Sequence, residues 1–257
     1  MANVLYPDIV IEKKYESILN TKLDMQQFLT VDYSLAENSG MKKTVVTKSV
    51  VGDVEDLAMG VGNTGYIEVT SVSNDYEVGV TQGRFAYYDE EAMKDDKVVE
   101  AGLTGLAEKM VNDFTNKAIA EWNKADLTLT GCTWTFENVV DAIAKMNLEN
   151  EEGLFLLISP DIVAAFRKHL KDDLKYVEGF VRSGYIGHVC GVPVYVSKAV
   201  TGNKAILATK EAVTLFIKRG VEREAERDAN TRMNTEYIRK VALVAITDKT
   251  KLVLMSE

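Results

Sequence analysis

Residues 31–90 constrain this chain more than any other stretch, because they are patterned to pair as strands yet have no core beside them. Val45 and Val46 lie in a β-prone stretch, Thr44 to Val51. A glycine-rich, acidic middle follows from Gly52 to Gly65, and then a longer β-prone run from Tyr66 to Tyr88. In that run Ile67 and Val69 alternate with Glu68 and Thr70, and Tyr76, Val78 and Val80 alternate with Glu77, Gly79 and Thr81, the period of two that marks a strand. The reading is a long two-stranded hairpin over 31–90. An isolated hairpin is marginal in water, so such a ribbon needs support from another subunit.

The segments around it are more conventional. Residues 1–30 read as an extended arm running into a short amphipathic segment around Tyr15, Ile18 and Leu19, and this arm is expected to pack on a neighbour. Leu103, Leu106, Met110, Phe114, Ala118 and Trp122 recur at spacings of three and four, which predicts one long helix over 98–123. Thr135 is placed to cap a helix that runs to Met146. Leu154 to Ile158 is short enough for a buried strand. Ser159 and Pro160 then give a helix start through about Leu170, a serine cap followed by proline in the first turn. A looser segment spans 171–190. Val192 to Val196 reads as a strand, with Pro193 putting it at an edge or Pro193 at its start. Strands are expected at Lys204 to Thr209, Thr214 to Asp228, Tyr237 to Ile246 and Leu252 to Met255. The fold class is α+β, with a projecting hairpin ahead of one long helix.

Composition narrows the function. Apolar residues make up 46% and charged residues 27% of the 257, enough apolar material to bury a core. The net charge of −9 disfavours a tight nucleic-acid binder, since an acidic surface repels phosphate. No apolar run approaches the roughly 20 residues that span a bilayer. Two cysteines without close spacing, Cys132 and Cys190, make neither a disulfide framework nor a zinc site, and read as small buried apolar groups in a protein made in the cytosol.

Motifs with chemical meaning fail on context. Gly60-Val61-Gly62-Asn63-Thr64-Gly65 spells G-x-G-x-x-G. A dinucleotide site needs a strand before it and a helix after it; here an acidic stretch precedes and a strand-like alternation follows, so it reads as a hairpin tip. His188 beside Cys190 lacks further zinc ligands at a familiar spacing, and His169 suits a helix C-terminus. No catalytic residue, cofactor or metal is nominated. The run 221–228 is the harder case. Extended, it places Glu222, Glu224, Glu226 and Asp228 on one face and Arg223 and Arg227 on the other. A strand charged on both faces belongs at a surface, set against opposite charge on a partner.

The order of arm, long hairpin, long helix, mixed region and long β-returns resembles the HK97-fold major capsid proteins of tailed bacteriophages. LFLLISPDIVAAFRKHL and the stretch Gly184 to Ser197, with its G-x-I-x-G-x-x-x-G-x-P-V pattern, carry the resemblance locally. It implies an N-arm over 1–30, an E-loop over 31–90, a P domain over 91–130 and 213–240, and an A domain over 131–212 and 241–257. The function implied is that of a virion capsid subunit assembling in the host cytoplasm, as hexamers and pentamers of an icosahedral shell around double-stranded DNA held without sequence-specific binding.

Inter-subunit contacts are then expected in the E-loop at Lys48, Asp53, Glu55, Asp56 and Tyr66. A second set is expected in the β-arm and its P-loop at Glu222, Arg223, Glu224, Arg227, Asp228, Asn230 and Arg232. A chain starting at Met1 leaves little room for a built-in scaffold, so a separate scaffolding protein and a portal are the expected partners. Lys42, Lys43 and Lys48, with Asn230 and Asn234, are the residue types of the namesake's lysine–asparagine cross-link. No catalytic carboxylate can be placed beside them, and no cross-link is expected. The rival readings are an encapsulin-type compartment, which keeps the fold, and an enzyme of unknown type, for which no residues convene.

Overall fold

The computed structural model describes residues 25–37, 40–95, 97–169 and 187–257. The expected arm before Met25, most of the looser stretch 171–190 and the first residues of the Gly184 to Ser197 pattern lie outside the described residues. In chain order the strands are β1 (Thr30–Asp32), β2 (Lys42–Val51), β3 (Glu68–Glu77), β4 (Gly79–Tyr88), β5 (Leu127–Leu129), β6 (Leu154–Ile158), β7 (His188–Val189), β8 (Val192–Val196), β9 (Lys204–Thr209), β10 (Val213–Asp228), β11 (Met233–Ile246) and β12 (Leu252–Ser256). The helices are α1 (Asp89–Lys94), α2 (Lys97–Trp122), α3 (Phe136–Met146) and α4 (Pro160–His169).

Three sheets result. One has the order β1-β10-β11-β4, a second β5-β12-β9-β6-β8-β7, and the third is the β2–β3 ribbon. The long helix α2 lies across the first sheet. Leu103, Ala107 and Met110 pack on Ile238 of β11, with Val221 of β10 at the margin. Its 26 residues extend about 39 Å at 1.5 Å each. Trp122 at its far end enters a central core with Phe28, Phe155, Leu157, Val213, Leu215 and Val244, and so ties the two larger sheets together.

The apolar run of β6 is continuous because its sheet is covered on both faces. Phe155 and Leu157 join the central core. Leu154, Leu156 and Ile158 point the other way, onto Val139, Ala142 and Met146 of α3 and Ile162 and Phe166 of α4. β12 divides in the same manner, Leu252 and Leu254 on one side, Val253 and Met255 on the other. Full burial of each such side chain stabilises by about 1.5–3 kcal/mol. Ser159 caps α4 as expected, its hydroxyl accepting from the Ile162 N–H at 3.3 Å.

Two expectations are corrected and a third is narrowed. The run Tyr66 to Tyr88 is not one strand. Val78 is buried with Leu35, Val45 and Phe216, and its N–H bonds the Met41 carbonyl at 2.8 Å. This buried knot divides the run, so β3 returns along β2 while β4 turns away to pair antiparallel with β11. Thr135 precedes α3 but does not cap it with its side chain. Its hydroxyl bonds Asn138 Oδ1 at 3.1 Å, an oxygen that also accepts from the backbone and hydroxyl of Thr133. β8 is not an edge strand, because two-residue β7 covers it; Pro193 is the second residue of the strand, opposite His188, so the start position is the one it takes.

Candidate functional site

Two surfaces gather the residues singled out in the sequence. The first is the β2–β3 ribbon. Its register runs unbroken from Lys42 opposite Glu77 to Val51 opposite Glu68. Only its base is anchored, with Val45 and Tyr76 against Val78, Phe216, Val241 and Ala245. Lys48 lies in β2 opposite Ser71, exposed. Asp53, Glu55 and Asp56 sit in the tip, and Tyr66 closes it at 84% exposure.

The tip is ordered from within. Glu55 accepts from the Thr64 backbone N–H at 3.3 Å and hydroxyl at 3.4 Å, and Asn63 Oδ1 accepts from the Gly65 N–H at 2.8 Å. Gly52 has φ +131°, and a Cβ there would stand 2.9 Å from the Tyr66 carbonyl oxygen, so only glycine turns the strand into the tip without strain. The G-x-G-x-x-G run lies in this tip and is followed by a strand, which leaves no helix N-terminus for a pyrophosphate.

The second surface is the β10–β11 ribbon with the root of α1. The two faces of β10 separate as the alternation predicts. Under α2, Arg223 makes a two-pronged pair with Glu236, both N···O distances 2.7 Å, with side-chain exposures of only 10% and 7%. On the open face Glu222 accepts from Arg239 Nε at 2.7 Å and pairs with Arg219 at 3.3 Å, while Glu224 meets Arg239 at 3.2 Å. Near the turn Arg227 bonds Asp89 at 2.9 Å, Asn234 donates to the other Asp89 oxygen at 2.6 Å, and Arg232 pairs with Glu90 at 2.8 Å. Asp228 accepts from the Asn230 N–H and the Thr231 hydroxyl.

These contacts set the electrostatics. The hydrogen bonds from Arg227 and then Asn234 hold the Asp89 carboxyl below its ordinary range, and the Arg239 hydrogen bond does the same for Glu222. Asp228 is lowered by the Thr231 hydroxyl and the Asn230 N–H. The charged run therefore finds much of its complement within its own chain, where the alternation alone suggests a partner's. The partners Asp89, Glu90, Asn234, Glu236 and Arg239 were not anticipated. The one signal for them is alternation in the second β-return, where Glu236 and Arg239 fall on opposite faces.

The remaining candidates lie on other elements. His169 ends α4 and His188 begins β7. Both cysteines are free, and burial pushes both thiols up, away from the reactive thiolate. Among the described residues no group of three or more metal-ligating side chains converges, and no helix is long and apolar enough to cross a membrane.

Known proteins narrow the readings. No family model matches the sequence. The chain is 24% identical to the major capsid protein of Staphylococcus phage phiMR11, over all of this chain and 94% of that one. Its fold superposes on the capsid of the cyanophage P-SCSP1u with a TM-score of 0.69 at 11% identity, covering 89% of this chain and 86% of the other. It also superposes on the SrpI encapsulin of Synechococcus elongatus with a TM-score of 0.64 at 12% identity, covering 90% and 85%. This is a capsid shell protein of the HK97-like fold.

The two structural likenesses establish the fold, which phage capsids and encapsulins share. The end-to-end sequence match with a phage major capsid protein favours the phage reading. As a capsid protein the chain is structural and not enzymatic, it assembles with copies of itself into a shell, and its place is the virion capsid.

Proposed function

We infer that many copies of this capsid protein form hexamers and pentamers, and that these close into an icosahedral shell around double-stranded DNA. In this reading β2–β3 is the E-loop, which lies over a neighbouring subunit. The β10–β11 ribbon and α2 form the P domain, and the six-stranded sheet with α3 and α4 forms the A domain, which meets its copies around the capsomer axis. A separate scaffolding protein and a portal complete the assembly in the host cytoplasm.

One observation carries the reading. Of the nineteen large apolar side chains left exposed among the described residues, eleven lie between Val46 and Val72, with Val54 at 87%. A ribbon that exposes valine, leucine, isoleucine, methionine and tyrosine on both faces is built to be covered. The acidic net charge suits a container wall better than a grip on DNA.

Electron microscopy of the purified protein, with and without a co-expressed scaffolding protein, tests this. Closed particles of uniform diameter are the expected result; a chain that stays monomeric in both conditions contradicts it. The encapsulin alternative is favoured by the SrpI likeness alone. Nucleic-acid content separates the two, since virions purified from infected cells are expected to hold double-stranded DNA, whereas an encapsulin would hold protein cargo.

A further inference from the structure

β4 is an edge strand with one side unpaired among the described residues. It pairs with β11 along its whole length, from Gly79 opposite Ala242 to Tyr88 opposite Met233, and no described strand lies on its other side. Its outward N–H and C=O groups form a template for one more strand. Beside that edge a cleft of about 610 Å³ opens between β4 and α2, lined among others by Thr81, Gly83, Phe85, Gly102, Gly105 and Leu106. Gly105 has nothing within 4 Å of a would-be Cβ, so the cleft has room over the helix there.

The two faces of this edge differ. Thr81, Gly83 and Phe85 point to α2, since the Thr81 hydroxyl bonds Asp113 at 3.2 Å, and added Cβ atoms at Gly83 and Gly102 would meet Leu106 and Phe85. Gln82, Arg84 and Ala86 alternate onto the opposite face and are exposed. Arg84 lies across from Tyr237 and has no ion pair among the described residues, in a chain of net charge −9. A strand that fits this edge is apolar toward α2 and acidic around Arg84.

The chain carries such a segment ahead of Met25. In Asp8-Ile9-Val10-Ile11-Glu12 the isoleucines fall on one face of an extended stretch, and Asp8, Val10 and Glu12 on the other. With Val10 opposite Arg84 in antiparallel register, Ile9 lies across from Phe85 and Ile11 across from Gly83, beside Leu106. Asp8 and Glu12 then flank Arg84 on the diagonals, within reach of a long side chain.

Reach and direction agree with this register. Met25 is buried with Trp122, the last residue of α2, and Thr81 is level with Asp113 of that helix. Trp122 to Asp113 is about 14 Å of helix, whereas residues 14–24 extend up to about 36 Å. A segment running back from Met25 meets the Thr81 end of β4 first, which makes it antiparallel. So short a tether holds the segment near its own cleft at an effective concentration on the order of millimolar, above that of a second copy in dilute solution.

We propose that residues 8–12 add to the open edge of β4 in their own subunit, with Ile9 and Ile11 in the cleft against α2 and Asp8 and Glu12 around Arg84. The resemblance implies an arm that packs on a neighbour; in this proposal its first residues close a cleft of the subunit they belong to. The docked strand also blocks an edge that would otherwise recruit strands from other chains.

Disulfide trapping in the purified full-length protein tests it. Asp8→Cys is combined with Ala86→Cys, and Glu12→Cys with Gln82→Cys, while the four single variants serve as controls that keep Cys132 and Cys190. On oxidation, at least one double variant is expected to give an internally linked chain, running as a monomer of altered mobility on a non-reducing denaturing gel, with the two positions joined in its peptide map. The controls should give none. Amide hydrogen exchange supplies a second readout that needs no new cysteine: the outward-pointing amides of β4 should exchange at least tenfold faster in a chain lacking residues 2–13 than in the unaltered one. Links between chains in place of links within one, or a folded protein that shows neither the link nor the change in exchange, overturn the proposal.

Discussion

The ring of Phe85 in β4 turns its face to Gly102 in α2, where an added Cβ would stand 2.3 Å from its tip carbon and 2.5 Å from the two flanking carbons. The relation is reciprocated one turn along, where Leu106 of the helix reaches over Gly83 of the strand, so that an added Cβ there would stand 2.3 Å from its Cδ1. Two glycines, one on each element, thus let the long helix lie close on the edge strand that carries the hairpin's root.

Gly102→Ala pits two effects against each other. Alanine favours a helix interior by about 0.5–1 kcal/mol, but forcing the Phe85 ring aside costs about 1–3 kcal/mol. The net expectation is a loss of about 1 kcal/mol. Gly105, three residues along the same helix, has nothing within 4 Å of its would-be Cβ, so Gly105→Ala should stabilise by about 0.5–1 kcal/mol. Denaturant unfolding of the unassembled subunit reads both signs; equal shifts would show that Phe85 does not fix the helix.

The buried pair of Arg223 and Glu236 gives a second prediction. Removing one partner strands a charge beneath α2, so Glu236→Leu or Arg223→Met alone should cost about 3–5 kcal/mol. The double replacement should recover most of that loss, because two apolar side chains of similar bulk need no counter-charge. A double-mutant cycle on unfolding free energies measures the coupling.

Acid should loosen the β10–β11 turn first. Asp89, Glu222 and Asp228 have folded-state values below those of the unfolded chain. Their contribution is therefore full above the ordinary carboxylate range of about 4 and is lost as pH falls through the lower folded values. Hydrogen exchange at 228–234 against pH should show protection falling on acidification, and Asp89→Asn should flatten that dependence.

Val50 and Val69 face each other across the ribbon and are both exposed. Replacing both with serine removes one cross-strand pair and should change subunit stability by less than about 1 kcal/mol. The shell has more to lose, since these side chains are expected to be covered there. Light scattering should show the concentration needed for assembly rising several-fold, with the subunit's melting temperature nearly unchanged.

What the sequence determined by itself was local. The spacing from Leu103 to Trp122 made α2, Ser159 and Pro160 started α4, and the apolar run at Leu154 made β6, because each depends on residues within one or two turns of one another. The charged alternation over 222–228 also held, since facing is fixed by the pleat of a single strand. Only tertiary structure decided where the long β-run breaks and which charges meet. Val78 is buried by Phe216 and Val241, and Arg223 finds Glu236 through the pairing of β10 with β11. β4 leaves the hairpin for a partner that comes about 150 residues later in the chain. Period and propensity act over neighbouring residues, whereas strand partnership depends on which distant segments folding brings together.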